Sequence, residues 1–370
     1  MKRRKLHTLF RFRNTFILLT LFAAMDSFAH ADTETDPPGA VYILSNQPSG
    51  NSVLVYSRST DGALRFEASY PTGGRGVGTG GDPLASQGSL TLGSGYLFAV
   101  NAGTNDVSMF AINGTRLTLL DRKPSGGQTP VSIAIKGFNA YVLNAAGAPN
   151  ISGYIIDAIG KRLIPLPNST RALAGGANAQ PAQVSFTPDG DEILVSEKGT
   201  QLIDTFRVGA LGYTTGPISH RSNGVTPFGF SVTNRGYAVV AEAGSGSVSS
   251  YEIEDNRHVT SISATIRLTQ TAPCWLVTTG DGRYAYTANA GSGTISSLRI
   301  GADGTTRVLN PTAAVVNSPF DLALTKNSRY LYVREGNGAV GGFRVSTDGT
   351  LSPIGSVAGV PAGAQGIAAR

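Results

Sequence analysis

Seven repeats of one strand-rich unit predict an all-β chain, folded as a seven-bladed β-propeller with four strands in each blade. Each unit contains an alternating apolar strand, a polar Asn or Glu, a Gly/Ser-rich turn, a second alternating strand and a further turn. Such alternation is typical of half-buried strands, and no long amphipathic helical pattern competes with it. The units occupy residues 41–64, 97–117, 140–163, 193–213, 238–259, 285–309 and 331–351.

A further strand precedes most units and completes the four strands of a blade. It carries a proline followed by an apolar run, as in "QPAQVSF" (180–186). In the second half of the chain these prolines recur every 46 residues, at Pro181, Pro227, Pro273 and Pro319. A fixed period of this length is typical of propeller blades.

The first unit and the C-terminal segment are each incomplete, and each contains the strands that the other lacks. The C-terminal "GAQGIAAR" (363–370) resembles an inner strand without the rest of its unit, whereas the first unit begins at its second strand. Joining the two completes a seventh blade and leaves no open sheet edge. We therefore predict a single propeller domain over 38–370, closed by pairing of the N- and C-terminal strands in one blade.

Residues 1–31 have the layout of a secretory signal peptide. Six basic residues precede the apolar stretch "FILLTLFAA" (16–24), and "AHA" (29–31) supplies small residues before a cleavage point after Ala31. The apolar stretch is too short for a membrane anchor. The sequence therefore predicts a secreted or periplasmic protein with a short N-terminal tail, 32–37, and no membrane association after cleavage.

The charge balance argues against a nucleic-acid partner. The whole chain has 30 Lys+Arg and 24 Asp+Glu; removing six and one with the leader leaves 24 against 23. A nearly neutral chain offers no electrostatic reason to bind nucleic acid.

Only His220 and His258 remain outside the leader, so we expect no metal and no cofactor. The single Cys274 forms no internal disulfide. We expect a monomer.

One motif suggests a dinucleotide enzyme and has to be tested. "RGVGTGGDP" (75–83) places Gly76, Gly78 and Gly81 in the spacing G-x-G-x-x-G. A dinucleotide site requires a helix directly after these glycines, but here Asp82-Pro83 and a strand follow. We interpret the segment as a loop between blades, longer than its counterparts and able to form part of a rim.

The units resemble the lactonase family of seven-bladed propellers, which includes bacterial 6-phosphogluconolactonases and fungal carboxymuconate-lactonizing cycloisomerases. The motifs are "AYTANAGSGTIS" (285–296), "TDGTL" (347–351), "TDGAL" (60–64) and "TPDG" (187–190). The resemblance covers residues 41–370 and implies an active centre in the central funnel. The chain departs from the family where a His is usual in the fourth inner strand, which here has Gln183. It also departs where Arg often follows the inner-strand proline, at positions held by Phe228, Cys274 and Phe320.

These departures move the search for catalytic groups to other residues, because an amide cannot act as a base near neutral pH. Glu197 and Glu242 end the second strands of neighbouring blades, and two close carboxylates can divide the roles of acid and base. Arg334 could hold a carboxylate or polarise a carbonyl. Alternatively, both glutamates bond to backbone N–H groups of turns, and Arg334 pairs with the adjacent Glu335.

Polar residues around the funnel are candidates for substrate binding. They lie on inner strands or at the ends of second strands: Gln87, Gln183, Trp275, Asp321, Gln365, Asn101, Asn144 and Asn289. Amides and an aromatic face suit a sugar or a polar ring, although the same groups could simply fill the channel. The sequence thus predicts a small-molecule ligand and hydrolysis or formation of a sugar or aromatic-derived lactone. The alternative is a non-catalytic ligand-binding or protein-interaction propeller that has lost the family's His and Arg.

Overall fold

The structure, a computed structural model, describes residues 36–254 and 256–370. The predicted signal peptide and residues 32–35 of the predicted tail lie outside this part of the chain. Within it, 29 strands form seven antiparallel sheets in sequence order. The predicted all-β propeller with seven blades is confirmed. No helix among the described residues has the length and apolar character needed to cross a membrane.

The first three blades hold the N-terminal half of the ring and the C-terminal strand. The first blade contains β1 (Gly39–Leu44), β2 (Ser52–Arg58), β3 (Leu64–Pro71) and β29 (Ile367–Ala369). The second contains β4 (Leu90–Gly93), β5 (Tyr96–Asn101), β6 (Asp106–Asn113) and β7 (Arg116–Pro124). The third contains β8 (Gln128–Lys136), β9 (Asn139–Ala146), β10 (Asn150–Asp157), β11 (Arg162–Pro165) and β12 (Arg171–Ala172). In this blade β11 and β12 share the outer position, since both pair with β10.

The remaining four blades have four strands each. The fourth contains β13 (Pro181–Phe186), β14 (Glu192–Glu197), β15 (Leu202–Val208) and β16 (Thr214–Arg221). The fifth contains β17 (Pro227–Val232), β18 (Tyr237–Glu242), β19 (Ser247–Ile253) and β20 (Val259–Arg267). The sixth contains β21 (Pro273–Thr278), β22 (Tyr284–Asn289), β23 (Thr294–Ile300) and β24 (Thr306–Val315). The seventh contains β25 (Pro319–Leu324), β26 (Tyr330–Glu335), β27 (Ala339–Val345) and β28 (Leu351–Ala358).

Burial decreases from the second strand of each blade to its outer strand. Every residue of β14, β22 and β26 is buried, because neighbouring blades cover both faces of these strands. The outer β28 is instead half-buried or exposed along its whole length. The apolar runs of the second strands and the polar alternation of the outer strands follow from these positions.

Tyrosines of one blade reach the outer hairpin of the next blade. The Tyr286 hydroxyl donates to the Gly349 carbonyl at 3.0 Å, and the Tyr332 hydroxyl donates to the Gly62 carbonyl at 2.7 Å. Gly349 has φ of +86°, and a Cβ there would lie 2.4 Å from the Tyr284 ring. The glycine of the "TDGTL" turn is thus required both by its backbone conformation and by close packing between blades.

The ring closes as predicted. β29 pairs antiparallel with β1, with Val41 opposite Ala369 and Ile43 opposite Ile367. Beyond the strand, the Arg370 N–H donates to the Ala40 carbonyl at 2.9 Å. The first blade therefore takes its inner strand from the C-terminus and its other three strands from the N-terminus.

A buried arginine bonds to both chain segments that meet at this junction. The Arg58 Nη1 lies 2.9 Å from an Asp36 carboxylate oxygen, and the two side chains are 3% and 4% exposed. The same guanidinium donates to the carbonyls of Pro37 and Arg370. It also lies over the Tyr330 ring of the seventh blade, 5.2 Å from the ring centre. One side chain thus joins both ends of the chain to the neighbouring blade.

We predict that Arg58→Met lowers the free energy of unfolding by about 3–5 kcal/mol, because it leaves the Asp36 carboxylate buried without its partner. Chemical denaturation measures this loss. Arg65→Met is the control, since Arg65 is largely exposed and its pair with Glu67 contributes little. Equal unfolding free energies for the two variants would contradict the assigned role of Arg58.

Candidate functional site

The connection between the first and second blades runs across the end of the ring. Gly76 and Gly78 donate their N–H groups to the carbonyls of Gln47 and Asn46, and a Cβ on Gly76 would lie 2.1 Å from Asn46 backbone. The glycines of the G-x-G-x-x-G segment thus allow close packing of two backbones. The segment is a loop, as expected, and a strand follows it.

Residues 84–88, which we call the plug, cross the axis of the ring. The Gln87 N–H donates to the Ala182 carbonyl of the fourth blade at 3.1 Å. The Gln87 amide donates to the Leu276 carbonyl and accepts from the Leu276 N–H, at 2.8 and 2.9 Å, in the sixth blade. The Ser86 hydroxyl donates to the Val131 carbonyl of the third blade at 2.8 Å. Because these contacts span the ring, the plug divides its central channel.

Three predicted binding residues, two glutamines and the tryptophan, bond to this plug or to the strands beside it. The Gln183 amide exchanges two hydrogen bonds with the Phe230 backbone, at 2.7 and 3.0 Å. Gln365 accepts from the Leu84 N–H and donates to the Ser86 carbonyl, which also accepts from Trp275 Nε1 at 2.8 Å. These side chains therefore pair with backbone inside the channel. A cavity of about 360 Å³ adjoins the plug, with Gln87, Gln183 and Asp321 in its wall.

The three predicted asparagines bond to neighbouring protein groups, and Asn101 also accepts from Asn51 and Thr72 at the first blade. Each is fully buried and bonds to the third strand or the turn before it. Asn101 donates to Asp106 and Ser108 at 2.6 and 2.8 Å, and Asn289 donates to Thr294 and Ser296 at 3.0 and 2.9 Å. Asn144 makes the corresponding bond to Asn150 at 3.1 Å. The repeated polar residue that ends a second strand thus fastens that strand to its neighbour.

Glu242 has the same position and the same kind of environment. It is fully buried, and its two oxygens accept hydrogen bonds from five donors of the fifth blade and the connection before it. The donors are Ser222, the Gly224 N–H, Ser247, Ser249 and Tyr251. This arrangement matches the alternative in which the glutamate bonds to a turn.

Glu197 is bound in a related way in the fourth blade. Its carboxylate accepts from the Gly175 N–H at 3.1 Å and from the Thr200 hydroxyl. Burial, and then the neighbouring Asp204, raise the pKa of Glu197 to about 7. The described contacts do not bring Glu197 and Glu242 together, and they do not join either carboxylate to Arg334.

The structure instead gathers four ionisable groups where the inner strands begin. We call Asp82, Lys198, Asp321 and Arg334 the axial cluster. Asp82 comes from the long connection, Lys198 and Arg334 from the ends of second strands, and Asp321 from an inner strand. These elements are adjacent because every blade directs its outer-to-inner connection and the turn after its second strand to the same face of the ring.

Arg334 is the most enclosed member of the axial cluster. It is 1% exposed, and its Nε and Nη1 have no hydrogen-bond partner in the described part of the chain. Its Nη2 lies 3.5 Å from the Pro361 carbonyl, and its Cζ lies 5.1 Å from the centre of the Phe320 ring. Burial lowers the pKa of Arg334, and the charges of Asp82 and Asp321 oppose this shift. A buried guanidinium with two unused donors is suited to bind an anion.

Asp82 and Lys198 form the outer part of the cluster. Burial raises the pKa of Asp82 to about 6, while Lys198, a bond from Gln365 and the Ala85 N–H oppose the shift. Burial lowers the pKa of Lys198 to about 8, with Asp82 opposing it. The Lys198 ammonium donates to the carbonyls of Ala85 and Pro181, and it lies 4.9 Å from the centre of the Phe228 ring. Both groups therefore titrate close to neutral pH.

Asp321 lies at the base of the cluster with a strained backbone. Its φ is +142°, a conformation that residues other than glycine rarely adopt. It is 2% exposed, and burial raises its pKa well above the usual range of a carboxyl group. Its Oδ1 accepts from the Leu322 N–H at 2.8 Å. A neutral Asp321 can donate a proton or a hydrogen bond to a group held by Arg334.

Aromatic rings form the apolar wall beside these charges. Trp275 packs edge-on against Phe228 and Phe320, with ring centres 5.3 and 6.0 Å apart. Cys274 is buried beside them, and burial raises the pKa of its thiol to about 12. It therefore stays protonated and is not a nucleophile. No three His, Cys, Asp or Glu side chains among the described residues are placed to bind a metal ion.

The sequence analysis missed Asp82 and Lys198. Lys198 breaks the repeat, because the residue after the second strand is alanine in four other blades, at Ala102, Ala145, Ala243 and Ala290. Arg334 breaks it two positions earlier, where the sixth blade has Ala288. The departure of these two residues from the repeat was thus the signal by which the sequence could have identified them. Asp82 has no repeat equivalent, and only the path of the loop shows that it reaches the axis.

A family model described as a lactonase with a seven-bladed β-propeller matches residues 89–227 and 220–313, more than half of the chain. The chain belongs to this lactonase family. The expected resemblance to the family is thus confirmed. A comparison with curated protein sequences finds no match.

Solved structures with the same fold cover nearly the whole propeller. An inferred 6-phosphogluconolactonase from Bacteroides fragilis is 18% identical with a TM-score of 0.67, over 91% of this chain and 99% of that chain. The periplasmic gluconolactonase PpgL from Pseudomonas aeruginosa is 15% identical with a TM-score of 0.69, over 90% and 99%. At such identities the similarity establishes the fold alone.

We predict that Glu197→Gln flattens the pH dependence of stability. A raised carboxyl pKa stabilises the folded chain below the unfolded pKa, and this contribution is lost as pH rises through about 7. The neutral amide removes the ionisation, so the variant should lose less stability than the wild type between pH 5 and 8, as measured by denaturation at each pH.

Glu242→Gln is the matched comparison, because it presents an amide N–H₂ group to five donors. We expect it to lower the free energy of unfolding by about 2–4 kcal/mol. A Glu242→Gln variant as stable as the wild type would show that these five bonds do not fasten the blade.

Proposed function

We propose that the protein hydrolyses or forms a lactone at the axial cluster. The observation that carries this proposal is the buried Arg334 guanidinium, which has two unused donors and lies near the carboxyl groups of Asp82 and Asp321. A set of acid, base and cationic groups beside an aromatic wall is what acyl transfer to or from water requires.

The groups divide the steps of hydrolysis as follows. The ionised Asp82 accepts a proton from water while the water oxygen bonds to the acyl carbon of the lactone. Arg334 and Lys198 stabilise the negative charge that develops on the carbonyl oxygen. The bond from the acyl carbon to the ring oxygen then breaks, and that oxygen takes up the proton. The product is the hydroxy acid, and the reverse sequence closes the lactone.

The wall of the site favours a lactone with a polar ring or an aromatic group. The partly exposed Phe320 offers an apolar ring beside Arg334, and the cations suit an acyl group that becomes a carboxylate. The gluconolactonase and 6-phosphogluconolactonase named above support lactones of sugar acids as the first class to test. We further propose that the predicted signal peptide directs the protein, as a monomer, to the periplasm or the medium, where it acts on a small molecule.

A panel of sugar-acid and aromatic lactones, assayed by release of acid with the purified protein, tests this function. We predict that Asp82→Asn lowers kcat/KM by about 10²–10³-fold, because the base is lost while the shape is kept. Asp348→Asn, in an exposed turn, is the control and should retain full activity. Full turnover by Asp82→Asn would overturn the assignment of the base. Absence of turnover on every lactone would favour the non-catalytic alternative.

We also predict a bell-shaped dependence of kcat/KM on pH. The rate should rise as Asp82 loses its proton near pH 6 and fall as Lys198 loses its proton near pH 8. Lys198→Arg should move the basic limb to higher pH and leave the acidic limb in place, because a guanidinium stays charged. An unchanged basic limb in this variant would show that Lys198 does not supply the needed charge.

A further inference from the structure

One position that packs blades together carries a different residue in the fourth blade. The second strand begins with a tyrosine in four blades, at Tyr96, Tyr237, Tyr284 and Tyr330, whereas the fourth blade has Glu192. The Tyr284 hydroxyl donates to the Thr347 carbonyl at 3.2 Å, and the Tyr330 hydroxyl donates to the Thr60 carbonyl at 2.8 Å. These bonds fill the junction with the outer hairpin of the next blade. The shorter Glu192 makes no such bond.

A cavity lies at this position between the fourth and fifth blades. Its volume is about 550 Å³, which is within the range of small-molecule sites. Its charged lining residues are Asp189, Asp191, Glu192, Arg207, Arg235 and Glu254. With Arg257, whose charge also acts on Glu192, four carboxyl groups against three guanidinium groups leave an excess of one negative charge when all are ionised. We call this cavity the Glu192 pocket.

Glu192 is the feature that the fold does not explain. It is 5% exposed, and no side chain among the described residues donates a hydrogen bond to its carboxylate oxygens, which only the Arg257 backbone N–H approaches. A buried carboxylate without partners destabilises a fold unless a bound group compensates for it. The corresponding blades show that a tyrosine satisfies the packing here, so packing does not require an acid at this position.

We propose that the Glu192 pocket binds a linear aliphatic diamine or polyamine, one ammonium group of which pairs with the Glu192 carboxylate. A second ammonium group would be attracted to Asp189 and Asp191 at the rim. A metal ion fits less well, because no three acidic, His or Cys side chains in the described ranges are placed to ligate one. The proposal does not depend on the lactone chemistry.

The pocket and the axial cluster lie at opposite ends of the same strand. Glu192 begins β14, and Glu197, directly before Lys198, ends it. Five residues of extended strand span about 16 Å. An occupant of the Glu192 pocket therefore does not contact the proposed lactone site, so the two functions can be separated by mutation.

The affinity should depend on pH, because the amine pairs only with ionised Glu192. Burial, and then Asp189, raise the pKa of Glu192 to about 7, while the charges of Arg257 and Arg207 and a bond from the Arg257 N–H oppose the shift. Asp191, Glu254 and Arg235 also face the cavity. Since aliphatic amines stay protonated to higher pH, binding should be tighter at about pH 8 than at about pH 6.

Isothermal titration of the purified protein with 1,4-diaminobutane and with spermidine tests the proposal. The neutral 1,4-butanediol and calcium chloride are the comparison ligands. Glu192→Gln should weaken amine binding by about 10-fold or more, which corresponds to one lost charged contact. Glu192→Tyr installs the residue of four other blades and should abolish binding while the thermal melting curve remains cooperative.

Asp281→Asn is the matched control, because Asp281 occupies the position of Asp189 in the sixth blade, where Tyr284 replaces the glutamate. It should bind amines like the wild type. Unchanged affinity in Glu192→Gln, equal binding of 1,4-butanediol, preferential binding of calcium or absence of amine binding to the wild type would each overturn the proposal. Lactone turnover, measured in parallel, should be the same in all three variants.

Discussion

Pairing of the last strand with the first is the constraint on which the rest of the structure depends. Three residues of β29 supply the inner strand of the first blade, and Arg58 links this junction to the seventh blade. Only a closed ring places Arg334 of the seventh blade near Asp82, which follows the first blade. The axial cluster is thus a product of closure, and no single blade contains it.

The repeat made the fold predictable, whereas the proposed sites rest on residues that depart from it. Asn101 and Glu242 recur at the same position because each bonds to the third strand of its own blade and to the connection before that blade, so their periodicity reflects architecture. Lys198, Arg334 and Glu192 depart from the repeat, and their environments are those that the blade does not explain. Arg334 and Asp321 could be proposed from sequence, whereas the loop that brings Asp82 to the axis depends on contacts between distant segments.

The glutamines also show how far sequence patterns can identify binding residues. Gln183 stands where the family usually has a histidine, and its amide bonds to the Phe230 backbone as a peptide group would. Gln87 bonds to Leu276 in the same manner, and a Cβ on Gly229 would lie 2.0 Å from its Oε1. The channel centre is therefore a packed hub in this chain, and the polar chemistry lies at the mouth above it. Sequence patterns do not distinguish an amide that binds a ligand from one that replaces a peptide.

The plug also has a consequence for biosynthesis. Its bonds from Gln87 to Leu276 and from Ser86 to Trp275 join residues 189 positions apart in the chain. As a chain emerges from the ribosome, the second blade can form early, but its hub contacts must wait for the sixth. Such long loops close slowly. Nascent chains that stall before the sixth blade is synthesised would therefore leave the plug without its partners. Synthesis of the last blades is thus the stage at which the chain most needs protection from aggregation.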